Sequence, residues 1–188
     1  NWSGKTTLVK CLNGLLRPTR GLVRLDGRAV ASYRPRELAR RAAYVPQPMG
    51  AGLPFRVRDF VMMGRYAHGS GAGAPSAEDR RAVDHALELT GTWDLRERIH
   101  ATLSGGERQK VMLAAALAQE TPLLLLDEPS AFLDPGHQHE FDGILLAVNR
   151  RRGATILSVT HDLNRALLAH DRIVGLCGGV VVCDAPAR

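Results

Sequence analysis

The sequence predicts an α/β fold built on a mainly parallel sheet, and two runs of β-forming residues carry this prediction. Leu123–Leu126 is short and fully apolar, which is typical of a strand buried on both faces of a parallel sheet. The run 154–160 is also strongly β-forming, and a helix is predicted between the two runs at 136–151. A polar pair follows each run, Asp127-Glu128 after the first and His161-Asp162 after the second. Because ligands bind at the carboxyl ends of strands in open parallel sheets, both pairs are candidate site residues.

Length and composition limit the class of protein. A chain of 188 residues with 45% hydrophobic and 23% charged residues predicts one globular domain with a substantial core. The net charge of +6 suits nucleic acid, anionic lipid or nucleotide phosphates, and does not choose among them. The cysteines Cys11, Cys177 and Cys183 are too few and too scattered for a disulfide framework or a CxxC metal site. We predict that they are small core residues in a reducing compartment.

Neither a membrane span nor an export signal is evident in the printed sequence. No apolar run approaches the ~20 residues of a membrane-spanning helix, and no signal peptide precedes the first motif. We therefore expect a cytosolic chain whose role at a membrane depends on a partner.

The first seven residues, NWSGKTT, match the end of the phosphate-binding pattern G-x-x-x-x-G-K-[ST]. In that pattern backbone amides surround the phosphates, Lys5 reaches the β and γ phosphates, and the Thr6 hydroxyl binds Mg²⁺. The first glycine of the pattern, one residue after it and the strand that should precede them are absent, so we expect a chain truncated within the motif.

The segments that follow predict alternating helices and strands up to Gln47. In chain order they are a helix from Lys5 to about Leu15 closed by Asn13-Gly14, a hairpin of 21–25 and 28–30 around the turn Asp26-Gly27, a helix at 37–41, and a strand at 43–45. Gln47 then lies just past the end of a strand.

From Pro48 to about Thr121 the pattern changes to helices and loops. A helix is predicted at 57–64, a glycine-rich loop at 69–75, and a helix ending at Leu89 that a Ser76/Asp79 capping box opens. The last helix of this region follows Ser104, a predicted N-cap, and its apolar residues recur with one core-facing stripe at Val111, Ala114, Ala115, Leu117 and Ala118. Because its first amides are free, its N-terminus can bind phosphate.

The adjacent carboxylates Asp127 and Glu128 are predicted to have two different roles at the strand end. One can hold a cation near phosphates, and the other can orient a water for attack on a terminal phosphoryl group. Beyond them, the helix at 136–151 is closed by Gly153, a short helix is predicted at 164–169, and strands at 172–176 and 180–184 close the chain.

Taken in order, the motifs are GKTT, a glutamine after a strand, LSGGE, LLLLDEP, a loop with Asp134, and a histidine after a strand. This set resembles the nucleotide-binding subunit of ATP-binding cassette transporters over nearly the whole chain. The pairing of LSGGE with LLLLDEP across one helix is highly specific, whereas GKT alone would not be. The resemblance implies a P-loop NTPase core, 1–47 and 121–188, with an inserted helical subdomain at 48–120, all in one domain.

The resemblance also implies the residues of the site. Those implied to be catalytic are Lys5, Gln47, Glu128 and His161. Those implied to hold Mg²⁺ are Thr6, Gln47 and Asp127. Those implied to contact ATP are Asn1, Ser3, Gly4, Lys5, Thr6, Thr7, Ser104, Gly105, Gly106, Glu107 and Asp134.

Partners follow from the same resemblance. In this family the segment LSGGE acts on the ATP held by the opposite subunit, which implies a head-to-tail dimer with two ATP molecules in its interface. Membrane-spanning permease subunits are implied at the cytoplasmic face of the membrane, with a substrate-binding protein as an indirect partner and no nucleic acid. The segments Phe55–His68 and 131–134, with His137-Gln138, look most like importers of iron-siderophore, haem or cobalamin type.

Two other functions stay open on the sequence. A soluble cassette ATPase that acts on nucleic acid or ribosomes would fit the basic pI of about 9.8, although the compact spacing from Gln47 to Ser104 is that of transporter subunits. A degenerate cassette that does not hydrolyse ATP would fit Trp2, which stands where the family usually has glycine.

Overall fold

A computed structural model describes residues 3–47, 52–69, 74–131 and 133–187 of the chain. Within them the helices are α1 (Lys5–Leu12), α2 (Pro35–Ala39), α3 (Val57–Met62), α4 (Ala77–Leu89), α5 (Gly105–Ala118), α6 (Pro135–Arg152) and α7 (Leu163–Ala169). The strands are β1 (Arg24–Leu25), β2 (Arg28–Ala29), β3 (Ala42–Val45), β4 (Leu123–Asp127), β5 (Thr155–Val159), β6 (Arg172–Cys177) and β7 (Val180–Pro186). None of the helices in these ranges is long and apolar enough to cross a membrane.

The central sheet is parallel, as predicted, with strand order β3-β4-β5. In its register Tyr44 pairs with Leu125, and Asp127 at the end of β4 pairs with Val159 at the end of β5. The leucines of β4 from Leu124 onward are buried, which confirms the strand inferred from the apolar run. Because the three strands run in the same direction, their carboxyl ends meet at one edge.

Two antiparallel hairpins form separate two-stranded sheets. β1 and β2 are joined by Asp26-Gly27, whose φ angles of 49° and 76° are the left-handed values that a two-residue hairpin turn requires. β6 and β7 form the predicted closing pair, with an irregular register between Gly175 and Leu176. Both pairings are confirmed.

Local end signals place several helix boundaries. α4 begins after Ser76, whose hydroxyl accepts from the Asp79 amide while the Asp79 carboxylate accepts from the Ser76 amide. α6 ends at Arg152 before Gly153, which has a φ of 62°. The predicted ends were less accurate for the short helices, since α1 ends at Leu12 rather than near 15, and α2 starts two residues earlier than predicted.

Helix α5 is buried on more than the single stripe predicted for it. Leu113 and Ala116, outside that stripe, are buried, whereas Ala115, inside it, is only partly buried. The physical reason is that α5 packs against four elements, namely α3, the 3-10 turn Met63–Ala67, α4 and β3. Helix α5 therefore forms the centre of the larger core.

A buried arginine ties these helices together. Arg65, in a 3-10 turn after α3, is 3% exposed, and its Nε donates to Asp79 Oδ1 at 2.9 Å. Its Nη1 donates to the carbonyl of Ala118, the last residue of α5, at 2.8 Å, and to Glu120 Oε2 at 2.6 Å. The guanidinium thus joins α4 to the C-terminal end of α5, where a positive charge is favourable.

Two predictions need a correction or stay open. The cysteines are not core residues, because Cys177 and Cys183 are exposed on the β6–β7 hairpin and Cys11 is only partly buried. The helical subdomain boundaries remain a prediction, since the first, at Pro48, lies outside the described residues. The second, Glu120, adopts a left-handed φ of 51° between α5 and β4.

Candidate functional site

The carboxyl edge of the parallel sheet gathers polar side chains from all three strands. Gln47 follows β3, Asp127 ends β4 with Glu128 after it, and His161 follows β5. The sequence placed these residues at strand ends, and the parallel pairing brings them to one edge of the sheet.

Asp127 is the most deeply buried member of this edge, at 1% exposure. Thr6 Oγ1, from the first turn of α1, donates to Asp127 Oδ1 at 3.0 Å. The phenol of Tyr44 donates to Asp127 Oδ2 at 3.3 Å. Of the three side chains predicted to hold Mg²⁺, Thr6 and Asp127 therefore meet although 121 residues separate them, whereas Gln47 contacts Glu128 instead.

Tyr44 was not among the predicted site residues. Burial, together with the charge of Asp127 and the bond to it, raises the pKa of Tyr44 to about 12. The phenol is therefore protonated at neutral pH and acts only as a donor toward the carboxylate. The sequence signal was a tyrosine inside the strand that leads to Gln47, but only the register of β3 against β4 brings it within reach of Asp127.

Glu128 has a backbone conformation unusual for its residue type. Its φ is 48°, in the left-handed region, which costs a non-glycine residue about 1–2 kcal/mol. The Glu128 amide donates to the Val159 carbonyl at 3.0 Å, which ties the residue to the end of β5. Such strain persists where the surrounding structure holds it, and it is common at functional sites.

The Glu128 carboxylate lies between the two other strand-end side chains. Gln47 Nε2 donates to Glu128 Oε2 at 3.4 Å, and His161 Nδ1 is 3.7 Å from the same oxygen. The Glu128 side chain is 18% exposed and that of His161 is 60% exposed. One carboxylate oxygen thus faces an amide donor and an accessible imidazole.

The phosphate-binding pattern forms the start of α1. Gly4 is its N-cap residue with a φ of 81°, a conformation that glycine adopts without strain. Lys5 and Thr6 are partly buried, Thr7 is exposed, and Lys5 Nζ donates to Ser3 Oγ. Within the described part of the chain, no side chain caps the amides of this first turn, which suits them to bind an anion. Asn1 and Trp2 lie outside the described residues.

The segment Ser104–Glu107, called here the signature segment, starts α5 with a capping box. The Ser104 amide donates to Glu107 Oε2 at 2.7 Å, and the Glu107 amide donates to Ser104 Oγ at 3.3 Å. The first of these bonds is the main reason that the pKa of Glu107 is lowered. Gly105 has open space where a side chain would be, so the start of α5 is accessible.

Asp134 lies beside the signature segment. It is the N-cap of α6 and accepts from the His137 amide at 3.1 Å, and its bond with the His137 ring is the largest cause of its lowered pKa. A side chain at Gly106 would come within 3.6 Å of Leu133 and 3.7 Å of His137. The start of α5 and the start of α6 therefore share one surface.

The predicted site residues thus fall into two groups. The phosphate-side group consists of Lys5, Thr6, Gln47, Asp127, Glu128 and His161. Among the hydrogen bonds and ion pairs of the described residues, none joins this group to the signature segment or to Asp134.

The phosphate-side group suits a nucleotide phosphate with Mg²⁺. Thr6 and Asp127 offer hard oxygen atoms 3.0 Å apart beside a lysine and a free helix N-terminus. The described residues contain no cluster of three or more His, Cys, Asp or Glu that could hold a metal ion by itself. Mg²⁺ is normally bound by one or two protein oxygens together with phosphates and water, so this small donor set fits it.

Comparisons with known proteins agree on one family. The ABC transporter family model matches residues 1–131. The Iron(3+)-hydroxamate import ATP-binding protein FhuC of Bacillus subtilis is 41% identical over 187 residues, which cover 100% of this chain and 70% of FhuC. The Hemin import ATP-binding protein HmuV of Pseudomonas putida is 45% identical over 181 residues, covering 93% of this chain and 68% of HmuV.

Solved structures give the same result. A dimeric ATP-binding cassette in a post-hydrolysis state, bound to ADP and Pi, has a TM-score of 0.84 and 28% identity, covering 99% of this chain and 82% of that one. The structure of cbiO1 from Clostridium perfringens, part of the ABC transporter complex cbiONQ, has a TM-score of 0.83 and 29% identity, covering 100% and 74%.

Proposed function

Because this chain belongs to the ABC transporter family, we propose that it is the subunit that binds and hydrolyses ATP to energise an importer. The observation that carries the proposal is the meeting of Thr6, Asp127 and Glu128 at one edge of the sheet, with Gln47 and His161 beside Glu128. ATP and Mg²⁺ are the proposed cofactors.

We assign the binding roles to residues at the start of α1 and the end of β4. Lys5 and the amides of Gly4 to Thr7 bind the phosphates. Thr6 and Asp127 would hold Mg²⁺, with Gln47 as a further proposed ligand near the attacking water. When bound, Mg²⁺ neutralises charge on the β and γ phosphate oxygens.

We assign the chemical step to Glu128 and its neighbours. The Glu128 carboxylate orients the attacking water and accepts its proton as the bond from water to the γ phosphorus forms. The bond from that phosphorus to the β–γ bridging oxygen breaks, and ADP leaves. Gln47 donates to that carboxylate and restricts its rotation. His161 and Lys5 donate to the γ phosphate oxygens, where negative charge must be stabilised in the transition state.

The separation of the two groups supports a head-to-tail dimer. The signature segment and Asp134 share an accessible surface, and no described bond ties either to the phosphate-side group. In a head-to-tail pair, the phosphate-side group of one subunit meets the signature segment of its partner. A structural relative of this chain is itself dimeric with ADP and Pi bound.

Mixing two inactive variants tests this arrangement. Lys5→Ala disables the phosphate side and Ser104→Arg blocks the signature segment, so each alone is expected to be nearly inactive. A one-to-one mixture should recover roughly a quarter of the parental ATP turnover, because half of the dimers are mixed and each has one intact site. Steady-state phosphate release measures the recovery.

A second mixture is the matched control. Lys5→Ala and Asp127→Asn both disable the phosphate side, so their mixed dimers contain no intact site and should recover nothing. Recovery in this control, or none in the first mixture, would contradict the head-to-tail site.

We further propose that the imported substrate is an iron-siderophore, haem or cobalamin-type molecule. The two curated relatives described above are named as import proteins for iron(3+)-hydroxamate and for hemin. The subunit would act at the cytoplasmic face of the membrane, bound to permease subunits that receive substrate from a binding protein. On this chain the permease would meet the exposed apolar side chains of the helical region, among them Phe55, Met63 and Tyr66.

Uptake assays in the source organism test the substrate class. Cells that carry Glu128→Gln are expected to lose uptake of one labelled substrate among ferric siderophore, haem and cobalamin, while amino acid uptake stays at the parental rate. Parental uptake of all three would exclude this substrate class.

A further inference from the structure

The side chain of Arg165 joins three parts of the chain next to the proposed site. Arg165 lies in the first turn of α7, four residues after His161. Its Nη2 donates to both carboxylate oxygens of Asp142, on α6, at 2.7 Å, and Nε donates to one of them at 3.3 Å. Its Nη1 donates to Ser130 Oγ at 2.7 Å.

Ser130 belongs to the loop that connects Glu128 to Asp134. It is 8% exposed, and its carbonyl accepts from the Leu133 amide at 3.2 Å and from Gln138 Nε2 at 3.2 Å. The Ala131 amide donates to the Glu128 carbonyl at 3.2 Å. The described part 128–131 therefore closes a turn whose first residue is the strained Glu128.

The main chain of Arg165 contacts the segment that carries His161. Its amide donates to Asp162 Oδ1 at 3.0 Å, and the Asp162 amide in turn donates to Thr160 Oγ1 at 3.0 Å. These bonds hold the residue that directly follows His161. Arg165 thus contacts the histidine segment through its backbone and the Glu128 loop through its guanidinium.

We propose that Arg165 is a positioning residue for ATP hydrolysis, because its guanidinium holds the loop of Glu128 in register with the segment that carries His161. The inference rests on the function proposed above. His161 is 60% exposed and its Nδ1 is 3.7 Å from Glu128, so its own side chain is only weakly held. The relative position of the two groups depends on the segments that carry them.

A purely stabilising ion pair would behave differently. Arg165 and Asp142 keep 23% and 29% of their side-chain surface exposed, and a role in stability alone would appear as a lower Tm with kcat unchanged. A positioning role instead predicts a loss in kcat, since small misplacements of catalytic groups reduce rates strongly. The two roles are separated by kcat, KM and Tm measured on the same variants.

The test compares Arg165→Met with the parent protein in steady-state ATP hydrolysis. We expect kcat to fall roughly tenfold, while the KM for ATP stays within about twofold and Tm changes by less than about 3 °C. Arg165→Lys should recover part of kcat, because one ammonium can reach Asp142 or Ser130 but cannot reproduce the forked contact with both.

Two further variants test whether the loss of kcat arises from the lost bond to Ser130. Ser130→Ala should also lower kcat. The double variant Ser130→Ala/Arg165→Met should lose less kcat than the product of the two single losses, because both substitutions remove the same hydrogen bond between Arg165 and Ser130. Arg172→Met is the matched control, since it breaks a bidentate arginine–aspartate pair with Asp184 on the β6–β7 hairpin. Its kcat should equal that of the parent.

The outcomes separate the inference from the function on which it rests. If the parent hydrolyses ATP and Arg165→Met retains kcat within twofold, or loses only affinity for ATP, the positioning role is overturned and the function stands. A kcat loss that disappears at lower temperature also overturns it, because that loss reports unfolding. A parent without Mg²⁺-dependent turnover would overturn both.

Discussion

Replacing Glu128 with glutamine is expected to reduce ATP turnover by roughly 10²–10⁴-fold, the range associated with a general base. The amide keeps the size of the side chain and can still accept from Gln47, but it cannot take a proton from water. Binding of ATP should stay within about threefold of the parent, because Lys5, Thr6 and Asp127 are unchanged. Phosphate release measures turnover, and titration with a fluorescent ATP analogue measures binding.

The matched control is Glu97→Gln, the same substitution at a carboxylate that is 56% exposed and paired with Arg56. Its turnover should equal that of the parent. If Glu128→Gln keeps more than a tenth of the parental rate, the assigned base is wrong. If the parent and both variants fail to hydrolyse ATP, the non-hydrolysing cassette considered from the sequence becomes the better description.

The largest effect on stability is expected from Asp79→Ala, which should lower the free energy of unfolding by about 3 kcal/mol. Arg65 is 3% exposed, and the substitution removes one of the two carboxylates that pair with its buried charge, although Ala118 and Glu120 still accept from it. The capping contacts between Asp79 and Ser76 are lost as well. Thermal unfolding should show a Tm lower by about 6–12 °C.

Asp84→Ala provides the control on the same helix. Asp84 pairs with Arg58 at 2.9 Å, but both side chains are about one-third exposed, at 33% and 36%, so its loss should cost no more than about 1 kcal/mol. Equal destabilisation by the two variants would show that burial of Arg65 is not the cause.

The Asp79 contribution should also depend on pH in a defined direction. Hydrogen bonds from Arg65, followed by those from Ser76, lower the pKa of Asp79 to about 2, below its ordinary value of 3.8. A carboxylate with a depressed folded-state pKa stabilises the fold above its unfolded pKa and loses that contribution as pH falls through the folded value. The difference in stability between the parent and Asp79→Ala should therefore shrink between about pH 4 and pH 2.

Local sequence signals predicted much of the fold because each one depends on interactions among a few neighbouring residues. The Ser76/Asp79 capping box and the Asp26-Gly27 turn act over two to four positions, so their effects could be read directly and both are present. The helix ends of α1 and α2 were less accurate because no comparably strong signal marks them. The burial of α5 was predicted only in part, because four separate elements pack against it.

The chemistry of the site was predicted from motifs, whereas its supporting contacts were not. Thr6 and Asp127 were assigned together through the family resemblance, and their hydrogen bond agrees with that pairing. The contact of Tyr44 with Asp127 spans 83 residues and that of Arg165 with Ser130 spans 35. Neither pair has a spacing rule, because each depends on strand register or on where α7 packs.

The left-handed backbone at Glu128 has a consequence for how this position can vary. Glycine would adopt that conformation without cost, and asparagine or aspartate more readily than glutamate. Glutamate at this position therefore lowers the stability of the fold but supplies the carboxylate proposed for catalysis. A search for thermally stable variants of this chain would tend to select glycine here, and the selected proteins would gain stability while losing the carboxylate assigned to catalysis.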